Sequence, residues 1–397
     1  MADVEMTDAA AIGSRPRVLY YVQHLLGIGH LARASHIVQA LAENDFEVTL
    51  VTGGMSVAGF PAGGMDHVTL PPIAVGDGGF SQLVDADGNP VDDTFKAQRR
   101  ELLLATYRDK RPDIVILEAF PFGRRQVRFE LLPLIDAIEA TQPRPLLLTS
   151  LRDILQERAK PGRDEETVDL VRRHFDHVLV HGDPDFVRLQ DTFPLARSIA
   201  DRVAYTGLVT GRPPAPPHER FDIVVSAGGG AVGAGVIEAA LDASIELTDL
   251  GRWCIITGPN LPQSDFDRFS AKAPGHVQLA RFRTDFRSLL TTARLSISQA
   301  GYNTVCDIQQ AGCRSVLVPF ASGGETEQTA RAERLDRMGL AVVLPENMLC
   351  GDTMVSAIER ALGQVDLPDV PVLQLDGANR TAELLRDLLN KRPTSQL

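Results

Sequence analysis

A histidine set directly behind a glycine turn is the first chemical feature of the chain. Gly27-Ile28-Gly29-His30-Leu31-Ala32 follows an apolar run, residues 17–23. It leads into a helical pattern, residues 31–44, with Ala34, Ile37, Val38 and Leu41 on one face. Glycines let a backbone approach a ligand, and a helix N-terminus presents unpaired N–H groups. A histidine at that point is placed to act as a base in a cleft; by spacing alone, a helix-capping or solvent-facing role fits equally. The segment also reads formally as G-x-G-x-x-A, a dinucleotide fingerprint, which requires an acid at the end of the next strand. That strand, residues 46–52, runs into Val51-Thr52-Gly53-Gly54 with no acid, so the NAD reading is weak.

Two further glycine-bearing turns lie in the second half. Residues 226–233, Ser-Ala-Gly-Gly-Gly-Ala-Val-Gly, follow a strand and precede a helix but lack the Gly-Lys-Ser/Thr ending of a triphosphatase loop. Phosphate oxygens or a close domain approach would each explain Gly229 and Gly230. Residues 298–307, Ser-Gln-Ala-Gly-Tyr-Asn-Thr-Val-Cys-Asp, are more specific. Gly301, Asn303 and Thr304 would offer N–H and hydroxyl donors at a helix start, chemistry suited to a diphosphate. Asp307, a turn further on, is at reach for a ribose diol. The loop ending in Glu327 and Gln328, after the strand at 315–319, offers paired polar side chains for sugar hydroxyls at a strand's C-terminal edge.

Acids also end predicted strands in the first half. Glu118 follows residues 113–117 and Asp153 follows Leu151-Arg152; each is a reserve base, with capping or surface roles as the alternative. Asp85-Ala86-Asp87 and Asp265-Phe266-Asp267 are formally D-x-D, but neither follows a clear strand. Both read as solvated loop acids, and no metal is expected. Arg124, Arg125 and Arg128 stand among Phe122, Phe129, Leu131 and Leu132. They suit an acidic acceptor or an anionic membrane surface; an amphipathic helix with its apolar face in the core fits the same pattern and is preferred.

The elements that position these residues recur. Strand, helix and strand alternate from residue 17, which predicts a parallel α/β sheet. The alternation restarts after residues 207–221, a stretch with four prolines. A length of 397 residues suits two such domains. The expected division is a tail at 1–14, an N-terminal Rossmann-like domain at 15–206, a linker at 207–221 and a C-terminal Rossmann-like domain at 222–397. The last helical pattern, 378–391, is able to pack on either domain. Residues 59–94, rich in Gly, Pro and Asp, are expected to form an irregular cleft loop. A net charge of −12 argues against general nucleic-acid binding. Four cysteines without zinc or C-x-x-C spacing read as free thiols. With no signal-like start and no long apolar run, a cytoplasmic protein is expected.

Residues from about 222 to 343 resemble the glycosyltransferase family that includes the bacterial peptidoglycan enzyme transferring N-acetylglucosamine to a lipid-linked acceptor, family 28. More broadly the chain looks like the two-Rossmann GT-B superfamily. The likeness lies in Ala-Gly-Tyr-Asn-Thr-Val-Cys-Asp (300–307), Ala311-Gly312, Val318-Pro319-Phe320 and Glu327-Gln328. The N-terminal half shares only the strand–G-x-G-H–helix opening. The resemblance implies a glycosyltransferase using a nucleotide-diphosphate sugar, UDP-linked, without metal or other cofactor. The acceptor would be a small molecule or lipid-linked, with peripheral contact at the inner face of the membrane in the second case. His30 would be the base or line the acceptor side, with Gly29, Arg124 and Arg125. Gly229 and Gly230 would face the diphosphate. Residues 280–283, including Arg283, would hold the nucleotide base, and Asp307 the ribose, where the family has a longer glutamate. Glu327 and Gln328 would contact the donor sugar, where the family often has two glutamines. A hydrolase or epimerase of the same shape, or a non-catalytic nucleotide-sugar-binding protein, is the alternative.

Overall fold

The computed structural model describes residues 15–25, 27–57, 59–60, 65–76, 79–156, 161–228, 233–321, 324–363 and 372–392. The N-terminal half runs β1 (Arg17–Val22), α1 (Gly29–Glu43), β2 (Glu47–Thr52), β3 (Asp66–Thr69), β4 (Ala74–Gly76), β5 (Gly79–Val84), α2 (Asp93–Lys110), β6 (Ile114–Glu118), α3 (Arg128–Glu139), β7 (Leu146–Arg152), α4 (Arg163–His174), β8 (His177–His181) and β9 (Val203–Tyr205). The C-terminal half runs β10 (Ile223–Ser226), α5 (Ala234–Glu246), β11 (Trp253–Ile256), α6 (Gln263–Lys272), β12 (Val277–Ala280), α7 (Phe286–Leu290), β13 (Leu295–Ser298), α8 (Tyr302–Ala311), β14 (Arg314–Leu317), α9 (Glu327–Arg337), β15 (Val342–Val343), α10 (Gly351–Gly363) and α11 (Gly377–Asn390).

Two parallel sheets result, ordered β3-β2-β1-β6-β7-β8-β9 and β12-β11-β10-β13-β14-β15. Both are covered by helices on two faces, so strands such as β1, β6 and β11 carry continuous apolar runs, while β13 alternates Leu295 and Ile297 with the buried Ser296 and Ser298. In each sheet the chain order reverses beside the first strand, between β1 and β6 and between β10 and β13. Ligands of open α/β sheets bind at such switch points, beyond the strands' C-terminal ends. Gly29 and His30, Glu118, Gly228 and Gly301 all stand at those two points.

Residues 59–94 are not an irregular loop. They supply β3, which extends the main sheet beside β2, and the antiparallel β4–β5 hairpin. The short strands escaped notice because β3 is largely exposed and carries no apolar run. The last helix joins the N-terminal domain: Ala378, Ala382 and Leu385 of α11 are buried in one core with Leu31, Ile37 and Leu41 of α1. The chain returning to that helix pairs with the outgoing connection. Leu208 N–H donates to Gln374 O (2.7 Å) and Gly377 N–H to Leu208 O (3.0 Å). Gly207, at φ +89°, is required here, since a Cβ would lie 2.9 Å from Gln374 O.

The two domains are also welded by apolar packing. Ile154, Phe186 and Val187 of the N-terminal half share a core with Tyr302, Val305 and Leu335 of the C-terminal half. Among the described residues no helix is long and apolar enough to cross a membrane. All four cysteines are free thiols, three of them buried.

Candidate active site

The parallel register brings β6 beside both β1 and β7, so the last residue of β6 sits at the centre of the sheet edge. That residue is Glu118, fully buried. Its Oε2 accepts from the hydroxyls of Tyr20 (2.8 Å) and Ser150 (2.6 Å). Its Oε1 accepts from His30 Nδ1 (2.8 Å) and forms an ion pair with Arg33. Burial alone would raise the Glu118 pKa, but Arg33 and then His30 hold it well below the usual carboxylate range. An ionised carboxylate can only accept, so Nδ1 carries the imidazole proton and Nε2 keeps its lone pair. The histidine retains 18% of its side-chain surface and the glutamate none, so His30 is the solvent-facing member of the pair.

Burial, then the charge of Arg124, pushes the His30 pKa down to about 3 against the pull of Glu118. The neighbouring charges are Glu118, Arg33 and Arg124. A base with that value is unprotonated throughout the neutral range. At saturating substrate, kcat should therefore show no acid-side decline attributable to His30 between pH 5 and 8. A decline with a midpoint near 6.5 that disappears in a His30 variant would contradict this.

Across the cleft, α8 begins with Gly301 as its N-cap residue and has no acid in its first turn. Its unpaired N–H groups and dipole favour an anion. Asn303, Thr304 and Asp307 lie on one helix face by the i+3/i+4 rule. Asn303 Nδ2 donates to Gly29 O (3.1 Å), so the starts of α1 and α8 touch. Asp307 is held by Arg287 (2.9 Å), and burial pushes its pKa up to about 6. Gly228, at φ +78°, lies where a Cβ would meet Gln299 Oε1 at 2.6 Å. Gly229 and Gly230 lie outside the described residues.

The remaining sequence candidates have other partners. Asp153 is fully buried and chelated by Arg331, with Nε to Oδ2 at 2.9 Å and Nη2 to Oδ1 at 2.6 Å. The same guanidinium reaches Glu327 Oε1 (2.7 Å), whose Oε2 pairs with Arg152. Asp153 and Glu327 are thus tied into an ion network between the domains, with no free carboxylate oxygen turned to a substrate. Gln328 Oε1 accepts from Phe320 N–H (3.2 Å). Arg283 is held by Asp285 (2.7 Å) and Glu219 (2.9 Å). Arg125 and Arg128 both bind Glu166. Arg124, left-handed at φ +56°, has a buried Nε with no hydrogen-bond partner among the described residues. Asp85 accepts from the backbone of Asp87 and Asn89, a local turn role.

Sequence reading missed Arg33, Ser150, His181 and Arg331. His181 is fully buried and bonds Ser150 Oγ (2.9 Å) and Thr206 Oγ1 (2.7 Å). Arg33 had a usable signal, a charge three residues after His30 on the buried side of α1.

The architecture is the GT-B fold, two Rossmann-like domains across a cleft. The calicheamicin glycosyltransferase CalG4 superposes with a TM-score of 0.60 at 18% identity, over 95% of each chain. A UDP-N-acetylglucosamine 2-epimerase of Methanocaldococcus jannaschii gives 0.58 at 9% identity, over 94% of this chain and 99% of that one. Residues 224–365 match the family model of the glycosyltransferase family 28 C-terminal domain. A curated relative is the UDP-N-acetylglucosamine–N-acetylmuramyl-(pentapeptide) pyrophosphoryl-undecaprenol N-acetylglucosamine transferase of Phenylobacterium zucineum (strain HLK1). It is 30% identical over 186 residues, 43% of this chain and 51% of the relative. The chain thus spans about half the length of the curated relative it matches.

Proposed function

We propose that the protein is a glycosyltransferase that moves a sugar from a nucleoside-diphosphate donor, UDP-linked, to a nucleophilic acceptor bound against the N-terminal domain. The observation that carries this reading is the His30–Glu118 pair standing opposite the acid-free N-terminus of α8, with Gly29 and Asn303 in contact between them. His30 Nε2 takes the proton of the acceptor. The acceptor oxygen or nitrogen forms a bond to the anomeric carbon as the bond from that carbon to the diphosphate oxygen breaks. The departing diphosphate is stabilised by the N–H groups at Gly301 to Thr304 and the Thr304 hydroxyl, work that helix termini do without a metal. Asp307 reaches the ribose by exchanging its Arg287 contact. Arg283 flanks the base, and Gln328 borders the sugar. The acceptor is a small molecule or a lipid-linked one, with Gly29, Arg124 and Arg125 on its side of the cleft. Arg124 has a buried Nε with no hydrogen-bond partner among the described residues.

An epimerase or hydrolase of the same donor is the second reading, favoured by the likeness to the M. jannaschii epimerase. Thermal stabilisation against UDP, GDP, dTDP, ADP, CDP, NAD and their common sugar conjugates tests both. Binding to the native state alone adds about 2.7 kcal/mol at a hundredfold excess over Kd. One nucleoside diphosphate should shift the wild type, and Asp307→Ala should lose most of that shift. A shift by NAD alone, or by nothing, would remove the donor-site reading. Release of free or epimerised sugar at a full turnover rate without acceptor would favour the second reading.

A further inference from the structure

Two arginines that each hold a carboxylate of the N-terminal domain lie over the ring of Tyr302. Tyr302 is the first residue of α8, between Gly301 and Asn303, and is almost wholly buried. Arg33 lies over its ring, 5.2 Å from the centroid, and the same guanidinium pairs with Glu118. Arg331 also lies over the ring, 5.7 Å from the centroid, and chelates Asp153. The Tyr302 hydroxyl donates to His181 O (2.9 Å) and accepts from Val209 N–H (2.9 Å), the latter in the connection between the domains. His181 in turn bonds Ser150, which donates to Glu118. One C-terminal-domain side chain therefore touches the carboxylate that orients His30 by two routes, through Arg33 and through His181.

The physical consequence concerns Arg33. Its Nε is buried with no hydrogen-bond partner among the described residues, and its desolvation is offset by Glu118, by the face of the Tyr302 ring and by Tyr20, with a longer contact to His30 Nδ1 (3.3 Å). Withdrawing α8 would remove the ring and admit water to that nitrogen. The guanidinium would then no longer be fixed against Glu118 Oε1, the oxygen that also accepts from His30 Nδ1. A bound diphosphate at the start of α8 would favour the docked position, because the same turn of helix that holds the phosphates holds the ring.

We propose that Tyr302 is a positioning residue that makes the geometry of the His30–Glu118 pair depend on docking of the donor helix. The inference rests on the donor-site reading above. The Tyr302 side chain touches neither donor nor acceptor; it acts through Arg33 and the His181–Ser150 chain.

Nitrogen-15 NMR of the histidine side chains reads this directly, with the His30 signals assigned by their loss in His30→Gln. UDP, with dTDP as the alternative probe, should move the His30 signals of the wild-type protein. In Tyr302→Leu the nucleotide should still bind, within about tenfold by calorimetry, since the helix N–H groups remain. Its His30 signals, however, should stay where they are without nucleotide. Tyr302→Phe keeps the ring and should keep most of the response. Arg33→Lys, which retains the charge but not the fork, should displace the His30 signals before nucleotide is added. A wild-type response in Tyr302→Leu, or wild-type spectra in Arg33→Lys, would overturn the coupling. Failure of the wild type to bind either nucleotide would instead strike the donor-site reading, and the coupling with it.

Discussion

Replacing His30 by alanine is expected to lower the transfer rate by about 10²–10⁴-fold, the usual contribution of a general base. Nucleoside-diphosphate binding should be unchanged, because the groups assigned to the donor lie in the C-terminal domain. The argument rests on orientation as much as on identity. Glu118 fixes the imidazole tautomer so that Nε2 is free, and burial keeps the ring neutral. Glu118→Gln is therefore expected to cost a similar factor. A glutamine amide can donate to Nδ1 and so place the imidazole proton on Nε2, the wrong nitrogen for a base. The measurement is nucleoside-diphosphate release from the donor that binds, with and without acceptor, alongside a thermal melt to show that each variant is folded. A His30→Ala protein with undiminished transfer would reduce His30 to a helix-start residue and return the search for a base to the rest of the cleft.

The second large effect is on stability. Arg331→Ala should destabilise the protein by about 3–5 kcal/mol, the cost of breaking a buried ion pair from one side. Arg331 is fully buried, chelates Asp153 at 2.6 and 2.9 Å, reaches Glu327, and donates to Ala300 O (2.9 Å). Its removal takes from the buried Asp153 carboxylate the cation that chelates it, while Glu327 keeps Arg152. The double variant Asp153→Leu with Arg331→Met removes the charge pair and retains volume, and is expected to recover part of the loss. Denaturant unfolding checks both. A loss below about 1 kcal/mol for Arg331→Ala would mean that the pair is solvated, as exposed pairs are. The two domains would then not be closed on each other in solution.

The alternation of apolar strands and amphipathic helices determined the fold class without help from tertiary structure. Continuous apolar runs such as residues 18–22 need a helix on each face, and that demand is local and visible. The glycine turn before His30 and the helix start at Gly301 were legible for the same reason: each is a backbone requirement met by neighbouring residues. The short strands of residues 59–94 were not legible, because β3 is largely exposed and β4 has three residues, so their pairing partners make them strands. Nor was the allegiance of α11, whose apolar face fits either domain until α1 is seen beneath it.

Partnership among charges was decided by the tertiary structure alone. His30 and Glu118 stand 88 residues apart in sequence, and Asp153 and Arg331 178 apart. His30, Glu118 and Asp153 stand at or beside helix or strand ends that looked alike in the sequence, and Arg331 lies inside α9. Sheet order put Glu118 beside the start of α1, where it orients an imidazole. Domain closure put Asp153 against Arg331, where it neutralises a guanidinium. The difference arises because a charge removed from water must find its counter-charge in three dimensions, and the sequence records the charge but not the distance.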